Sequence, residues 1–415
     1  MPSLNKIRSV LDRQDRASPQ IPLRRLRVAL TAFFALDGFV FAGWVVRIPA
    51  VKEQVGASAG ALGLALLGVS AGAVVTMIPS GRLCRRFGAR QVTVATGAVL
   101  SLSVALPPFT HSPLALGLVL LLLGVGFGGM NVAMNSVAVD LVAALRRPIM
   151  PGFHAAYSLG GLVGAGIGGP LAARLTPTQH LVGVALFGLL ATVLLARLLL
   201  RGAIPPPAEH TGPADVPAVD GQRAPGTARP GGARRMVAVF GLIALCTAYG
   251  EGALAEWGPL HLQEDLHTGP ALAAAGYAAV ALAMTVGRLS GTALLLRLGP
   301  TRAVVVGGLT ACAGMLLGAF GPAVWLVLTG FALTGLGLAN VFPVAIGRAG
   351  ALGGPSGVAT ASTLGYAGFL LGPPTIGFLA DAYGLPVALT TVAALTAVAA
   401  VVAHTTRHAS AAAGV

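Results

Sequence analysis

Few residues in this sequence have chemical reach, and those that do stand where charge is costly. Asp37, Glu251 and Glu256 lie inside long apolar runs, where an ionised side chain at the centre of a membrane helix costs at least ~2.5–3.5 kcal/mol. Asp37 stands ten residues past Arg27, roughly 15 Å along a helix that rises about 1.5 Å per residue, which is about mid-depth. A carboxyl there must shed water to ionise, so it can hold and release a proton. The other reading is a carboxylate locked in a structural ion pair or hydrogen bond. Glu251 lies fifteen residues into its own run. With Asp37 it predicts two acids on one cavity, one carrying a proton and one holding a substrate hydroxyl or amine. Glu256, five residues on and toward the outer surface, reads as an interfacial or gate residue.

The partners of these acids each have a bland and a sharp reading. Arg47, at the end of the first run, either pairs with Glu256 as an outer gate or snorkels to water. Arg288 is either an inner gate partner or another snorkelling cation. Asn131, Asn135 and Asn340 either glue helices or line the cavity. His154 and Tyr157 follow a segment holding Asp140, Arg146 and Arg147; His154 either relays protons or bonds a loop carbonyl. Trp44 and Trp257 follow the two acids outward, and either anchor at an interface or stack on a sugar ring. Tyr366 joins them as a cavity candidate. Gly124–Gly129 (GVGFGG) has a G-x-G shape but sits inside an apolar run with no strand before it, so it is no nucleotide loop. No Walker loop, HExxH, Cys pair with metal spacing or Ser/His/Asp set occurs in the aqueous segments. The expectation is no enzyme, no cofactor, no metal and no ATP engine.

These residues need elements that cross a bilayer. Of the 415 residues, 55% are hydrophobic and 10% charged, with mean hydropathy +0.82; a soluble surface needs about 25% charged residues. That excludes a soluble enzyme, a disordered scaffold and a disulfide module. The 58 glycines follow no collagen period and suit helices packed backbone to backbone. Cys84, Cys246 and Cys312 read as buried apolar thiols. Runs of about 20 apolar residues fall near 28–46, 58–79, 91–109, 114–137, 152–173, 180–200, 236–257, 271–294, 303–320, 323–344, 356–380 and 385–403. With no alternation of the barrel kind, they predict twelve helices. Placing the N-terminus in the cytoplasm puts 24 of the 27 Lys and Arg inside, leaving Arg47, Lys52 and Arg174 outside, as the positive-inside rule requires. The net charge of +14 is therefore topological, and predicts no nucleic acid.

Three patterns recur in order at offsets of 209–214 residues. Asp37-Gly38…Trp44 matches Glu251-Gly252…Trp257. Gly126-x-Gly128-x-x-Asn131 matches Gly335-x-Gly337-x-x-Asn340, and Gly81…Arg86-Phe87-Gly88 matches Gly291…Arg297-Leu298-Gly299. Six spans per repeat make both halves enter from one side, as in 6+6 carriers with a site between the halves. The expectation is an all-α membrane protein of two six-helix bundles, residues 27–200 and 236–404, related by a pseudo-two-fold axis along the membrane normal. A cytoplasmic basic tail (1–26), a Pro/Gly/Ala-rich linker (201–235) and a second tail (405–415) complete it.

The Gly81–Arg90 run (GRLCRRFGAR) and Gly164–Pro170 (GAGIGGP) resemble motifs of the major facilitator superfamily. The runs Trp44…Arg47-Ile48-Pro49-Ala50, Arg146–Gly161 (RRPIMPGFHAAYSLGG) and Glu251-Gly252-Ala253…Trp257 are similar to its YbjJ-type bacterial inner-membrane branch, a relative of fucose/proton symporters. The resemblance implies secondary transport in a bacterial inner membrane, and gating at Gly81, Arg85, Arg86, Gly88, Arg90 and Arg297. The family places an acid where this chain has Arg85, and the second copy has Leu296, so another pair must hold the inner gate. The combined expectation is a monomer in the lipid bilayer with both termini cytoplasmic, moving a small polar or sugar-like solute by proton symport. A proton-driven exporter of drugs or metabolites is the rival, weakened by an aromatic content of 6%. A non-transporting membrane sensor is the more distant one.

Overall fold

The computed structural model describes residues 20–145, 149–201 and 230–407. Residues 1–19, 146–148, 202–229 and 408–415 lie outside them, and with them most of the expected tails and linker and Arg146 and Arg147; residues 20–26 of the expected tail and 230–235 of the expected linker are helical. The described residues form thirteen α-helices and one 3₁₀ turn, with no strand among them. The helices are α1 (Gln20–Val45), α2 (Ile48–Gln54), α3 (Ala59–Phe87), α4 (Ala89–Ser103), α5 (Pro113–Leu145), α6 (Met150–Ala172) and α7 (Pro177–Arg201). Then follow α8 (Pro230–Glu264), α9 (Pro270–Leu298), α10 (Pro300–Phe320), α11 (Val324–Leu338), α12 (Val341–Tyr383) and α13 (Leu385–Thr405). Ten segments among the described residues are long and apolar enough to cross a membrane. They coincide with ten of the expected spans; α6 and the 356–380 part of α12 are helical but not among the ten.

Local chemistry sets the boundaries. Ser58 caps α3 by accepting from Ala61 N, and α6, α9 and α10 carry proline in their first turn, where the missing N–H costs nothing. Gly88 (φ +90°) and Gly299 (φ +74°) turn the chain in one step from α3 to α4 and from α9 to α10, in backbone regions that favour glycine. Two expectations are corrected here. The Gly81–Phe87 part of the expected loop belongs to the last turns of α3, and Gly88 alone makes the link. The expected span 323–344 is broken at Ala339–Asn340, because Pro343 has no N–H to offer the Ala339 carbonyl. Of the three cysteines only Cys246 is buried; Cys84 and Cys312 are half-buried.

The packing pairs repeat. α1 packs on α6 and α7, α3 on α5, and α4 on α5 and α7. In the second half α8 packs on α12 and α13, α9 on α11, and α10 on α11 and α13. The two halves meet through α6 against α9 and α3 against α12. Large apolar side chains such as Leu114, Leu118, Leu186 and Leu190 point outward, as a lipid-facing surface requires. The α1–α6 contact is backbone on backbone: a Cβ at Gly38 would collide with the Tyr157 carbonyl, and one at Gly160 with that of Ala35. That contact sets the depth of Asp37 against α6.

Candidate functional site

A cavity of about 620 Å³ lies between the halves. Its polar groups come from α3 (Ser70), α5 (Asn131), α6 (His154, Tyr157, Ser158), α8 (Glu251, Glu256), α9 (Tyr277, Arg288, Thr292) and the α11–α12 break and α12 (Asn340, Tyr366). Arg288 is its hub. Its Nη1 donates to Ser158 Oγ at 2.8 Å and its Nη2 to Glu251 Oε2 at 3.3 Å, so one guanidinium ties α9 to α6 and to α8. Arg288 therefore does not snorkel. Asn340 donates to the Gly287 carbonyl at 2.8 Å while lining the cavity, which unites both readings offered for it. Asn135 turns back on its own helix, donating to the Asn131 carbonyl at 2.8 Å, and does not line the cavity. His154 packs edge-on against Phe34 with ring centres 5.5 Å apart and faces the cavity rather than a loop carbonyl.

Asp37 stands just behind this wall. It is fully buried, and neither carboxylate oxygen has a hydrogen-bond partner among the described residues. Its electrostatic neighbours are the three cavity phenols, Tyr157, Tyr277 and Tyr366. Glu256 departs from its expected place. It lines the cavity, is 5% exposed, and its Oε2 is unpartnered. The reason is length: α8 runs on to Glu264, eight residues or about 12 Å beyond Glu256, so this residue is deep. Trp44 and Trp257 are 0% and 1% exposed. They lie in the core, at neither an interface nor the cavity wall.

The pairing expected of Arg47 with Glu256 is replaced by another. Arg47 Nε donates to His180 Nδ1 at 2.8 Å, and its terminal nitrogens to the carbonyls of Leu175 (2.9 Å), Ala172 (3.3 Å) and Leu171 (3.5 Å). Of these the Ala172 carbonyl is one that the end of α6 leaves open, Leu171 also accepts from Arg174 N and Leu175 N, and Leu175 lies beyond the helix; the guanidinium complements that helix's negative end. At this same end of the molecule Lys52 meets Glu264 at 2.6 Å. Asp381 accepts from Ser58 Oγ (2.8 Å), Ala59 N (2.9 Å) and Gly60 N (2.8 Å) at the start of α3. Both contacts bind the first half to the second. Asp381 lies outside the spanning segments; against the desolvation that would raise it, these bonds and Lys52 hold its carboxyl below the usual range. At the opposite end, Arg86 lies over the Phe87 ring at 5.1 Å, Arg90 is coupled to Asp140, and Arg85 and Arg297 are exposed. The gating candidates there, Gly81 and Gly88 among them, lie away from the cavity.

Sequence reasoning missed Tyr277, Ser158 and the ring chain Tyr277–Phe41–Phe127–Tyr157, whose centres are 6.5, 5.4 and 6.5 Å apart. A mid-span tyrosine, one of five in the chain, was the available signal.

The sequence matches the model of the Major Facilitator Superfamily over residues 28–343 and 240–413. The chain belongs to that superfamily. It is 31% identical over 373 residues to an uncharacterised MFS-type transporter of Yersinia pestis, covering 89% of this chain and 92% of the relative. A bacterial homologue of the human lysosomal transporter Spinster, solved inward-facing and unoccupied, aligns with TM-score 0.75 at 15% identity over 96% of this chain and 98% of its own. The nucleoside transporter NupG aligns with TM-score 0.70 at 14% identity over 92% and 99%; at such identities the likeness is one of fold. Like other superfamily members, this multi-pass membrane protein is a transporter rather than an enzyme.

Proposed function

We propose that this chain is a proton-coupled secondary transporter whose halves, residues 27–200 and 236–404, rock about the central cavity. The observation that carries the proposal is Asp37, a fully buried carboxyl without a hydrogen-bond partner among the described residues, whose charge is felt at three cavity phenols. A structural carboxylate at that depth would be paired; an unpaired one is suited to binding a proton. In this reading Asp37 takes up a proton while cargo binds between the halves. The halves then rock, and Asp37 releases the proton on the other side. The Lys52–Glu264 and Asp381–α3 contacts form the outer closure, the termini face the cytoplasm of a bacterial inner membrane, and the chain works as a monomer. Placement in the YbjJ-type branch, akin to fucose symporters, belongs to the same proposal and favours symport of a small polar solute.

A second reading, proton-driven export of an amphipathic metabolite or drug, is favoured by one observation. Aromatic residues are scarce overall but gather at the cavity, where Phe34, Phe41, Phe127, Phe342 and Phe369 join the three tyrosines. The test is Asp37→Asn in proteoliposomes, with a ligand drawn from a thermal-shift screen. Gradient-driven accumulation is lost while exchange of internal for external ligand persists. Undiminished uphill transport by the variant would refute the proposal.

A further inference from the structure

We infer that the cavity is a cation site, in which Glu256 receives the positive charge of a cargo built as an amine on an apolar or aromatic body. The inference rests on the cavity being the transport site proposed above, and between the two cargoes considered there it takes the amphipathic one.

Charge is the first argument. The cavity wall carries two carboxyls, Glu251 and Glu256, and a single guanidinium, Arg288. Arg288 is committed to Glu251 and Ser158. That leaves Glu256, 5% exposed and with Oε2 unpartnered among the described residues. A buried polar atom without a partner is costly; Glu256 borders the cavity although its Oε2 is closed off, so a cargo cation that reaches the carboxyl supplies the missing partner. With Arg288 committed to Glu251, the lining offers no free cation to an anionic cargo, whereas Glu256 gains a counter-charge when a cation arrives.

The second argument is independent of charge count. Tyr277, Phe41, Phe127 and Tyr157 form an unbroken chain of rings with centres 5.4–6.5 Å apart. All four line the cavity, and the chain runs from the second half (Tyr277) into the first. Ring faces attract organic cations, most strongly where water is excluded, and aromatic cages are a recurrent solution for quaternary and protonated amines. A wall made to bind sugars or polyols needs free hydrogen-bonding groups instead. Here Asn340 is already spent on Gly287 and Ser70 on the Phe369 carbonyl, which leaves Asn131, His154, Thr292 and the three phenols as polar groups in a wall made mostly of rings and aliphatic side chains.

The test is equilibrium binding of radiolabelled tetraphenylphosphonium to the full-length protein in nanodiscs. Competitors are 2-phenylethylamine and its neutral counterpart 2-phenylethanol. Saturable binding is expected, displaced by the amine at least tenfold more effectively than by the alcohol. Glu256→Gln should weaken the probe at least tenfold, with Glu256→Asp between. No saturable binding, equal displacement by both competitors, or an unaffected Glu256→Gln protein would overturn the inference. A second measurement needs no variant: carbodiimide labelling of Glu256 in the wild-type protein, read by mass spectrometry, should be blocked by tetraphenylphosphonium, and unblocked labelling overturns the inference too. No gradient is present in either measurement. A failure of Asp37 coupling would therefore leave both results unchanged, so the two proposals fail separately.

Discussion

Asp381→Asn isolates the closure at the end of the molecule that carries Lys52. The carboxylate accepts three hydrogen bonds at 2.8–2.9 Å from Ser58, Ala59 and Gly60, and so acts as a cap donated by the second half to the first turn of α3. An asparagine keeps one acceptor but turns an amide N–H toward a backbone donor. The bond from Ala59 N is lost, worth about 0.5–1.5 kcal/mol net, and the lost charge at a helix N-terminus adds roughly 0.3–1 kcal/mol. Because Asp381 is exposed, water and salt reduce both contributions, leaving about 1–2 kcal/mol. The contact exists only while this end is closed, so its loss shifts the balance toward the open form by a factor of about 5–30. Spin labels at Glu53→Cys and Tyr383→Cys, both exposed sites, in a background without the native cysteines, report the separation of the halves. The longer-distance population should grow by that factor. An unchanged distance distribution refutes the assignment of Asp381 as a latch. The pH dependence follows in sign. The Asp381 carboxyl is held below its usual range in the closed form, so its contribution is complete above the ordinary carboxylate range and fades as pH falls through the lowered value. The Asp381 contribution, read as the difference between wild type and Asp381→Asn, should therefore be indifferent to pH between about 5 and 8 and should fade only in strong acid, where the same distance measurement would detect it.

Three further outcomes are expected. Arg47→Ala strips the end of α6 of its cap and leaves His180 without its donor; with hydrogen bonds from a charged donor each worth about 1.5–3 kcal/mol, the melting temperature in detergent should fall by several degrees or more, and Arg47→Lys should recover part of the loss. Arg288→Met and Glu251→Gln should show a coupling of about 0.5–3 kcal/mol in a double-mutant cycle of stability; additive effects would mean that the 3.3 Å contact does not operate. Gly160→Val, placed against the Ala35 backbone, should prevent α1 and α6 from meeting and abolish folded protein in size-exclusion profiles, whereas the same change at Gly166, which faces open space, should be tolerated.

Much of this architecture is legible in one dimension because lipid imposes one-dimensional rules. Apolar length marks ten of the twelve expected spans, and the recurrence of Asp37-Gly38 as Glu251-Gly252 runs parallel to helix pairings that repeat along the chain. The depth of Asp37 follows from its distance to Arg27, since α1 begins near the basic tail and continues unbroken past it. The same arithmetic misplaces Glu256, because α8 does not end with the expected run at Trp257 but continues through Leu260 and Leu262 to Glu264. What the sequence cannot show is which groups meet across the fold. The partners of Arg47 lie 124–133 residues away and are mostly backbone carbonyls, which carry no signature of residue type. The overall aromatic content conceals the cavity rings for a related reason: an average over the chain says nothing about where rings converge.

The most direct test of the central claim is infrared difference spectroscopy of the purified protein across a pH titration, with Asp37→Asn as the reference. The account predicts a carboxylic-acid carbonyl band in the wild-type protein that gives way to carboxylate as pH rises and is missing from the variant, marking Asp37 as a group that binds and releases a proton. Identical spectra from the two proteins at every pH would contradict it, and would leave a buried carboxyl that takes no part in proton movement.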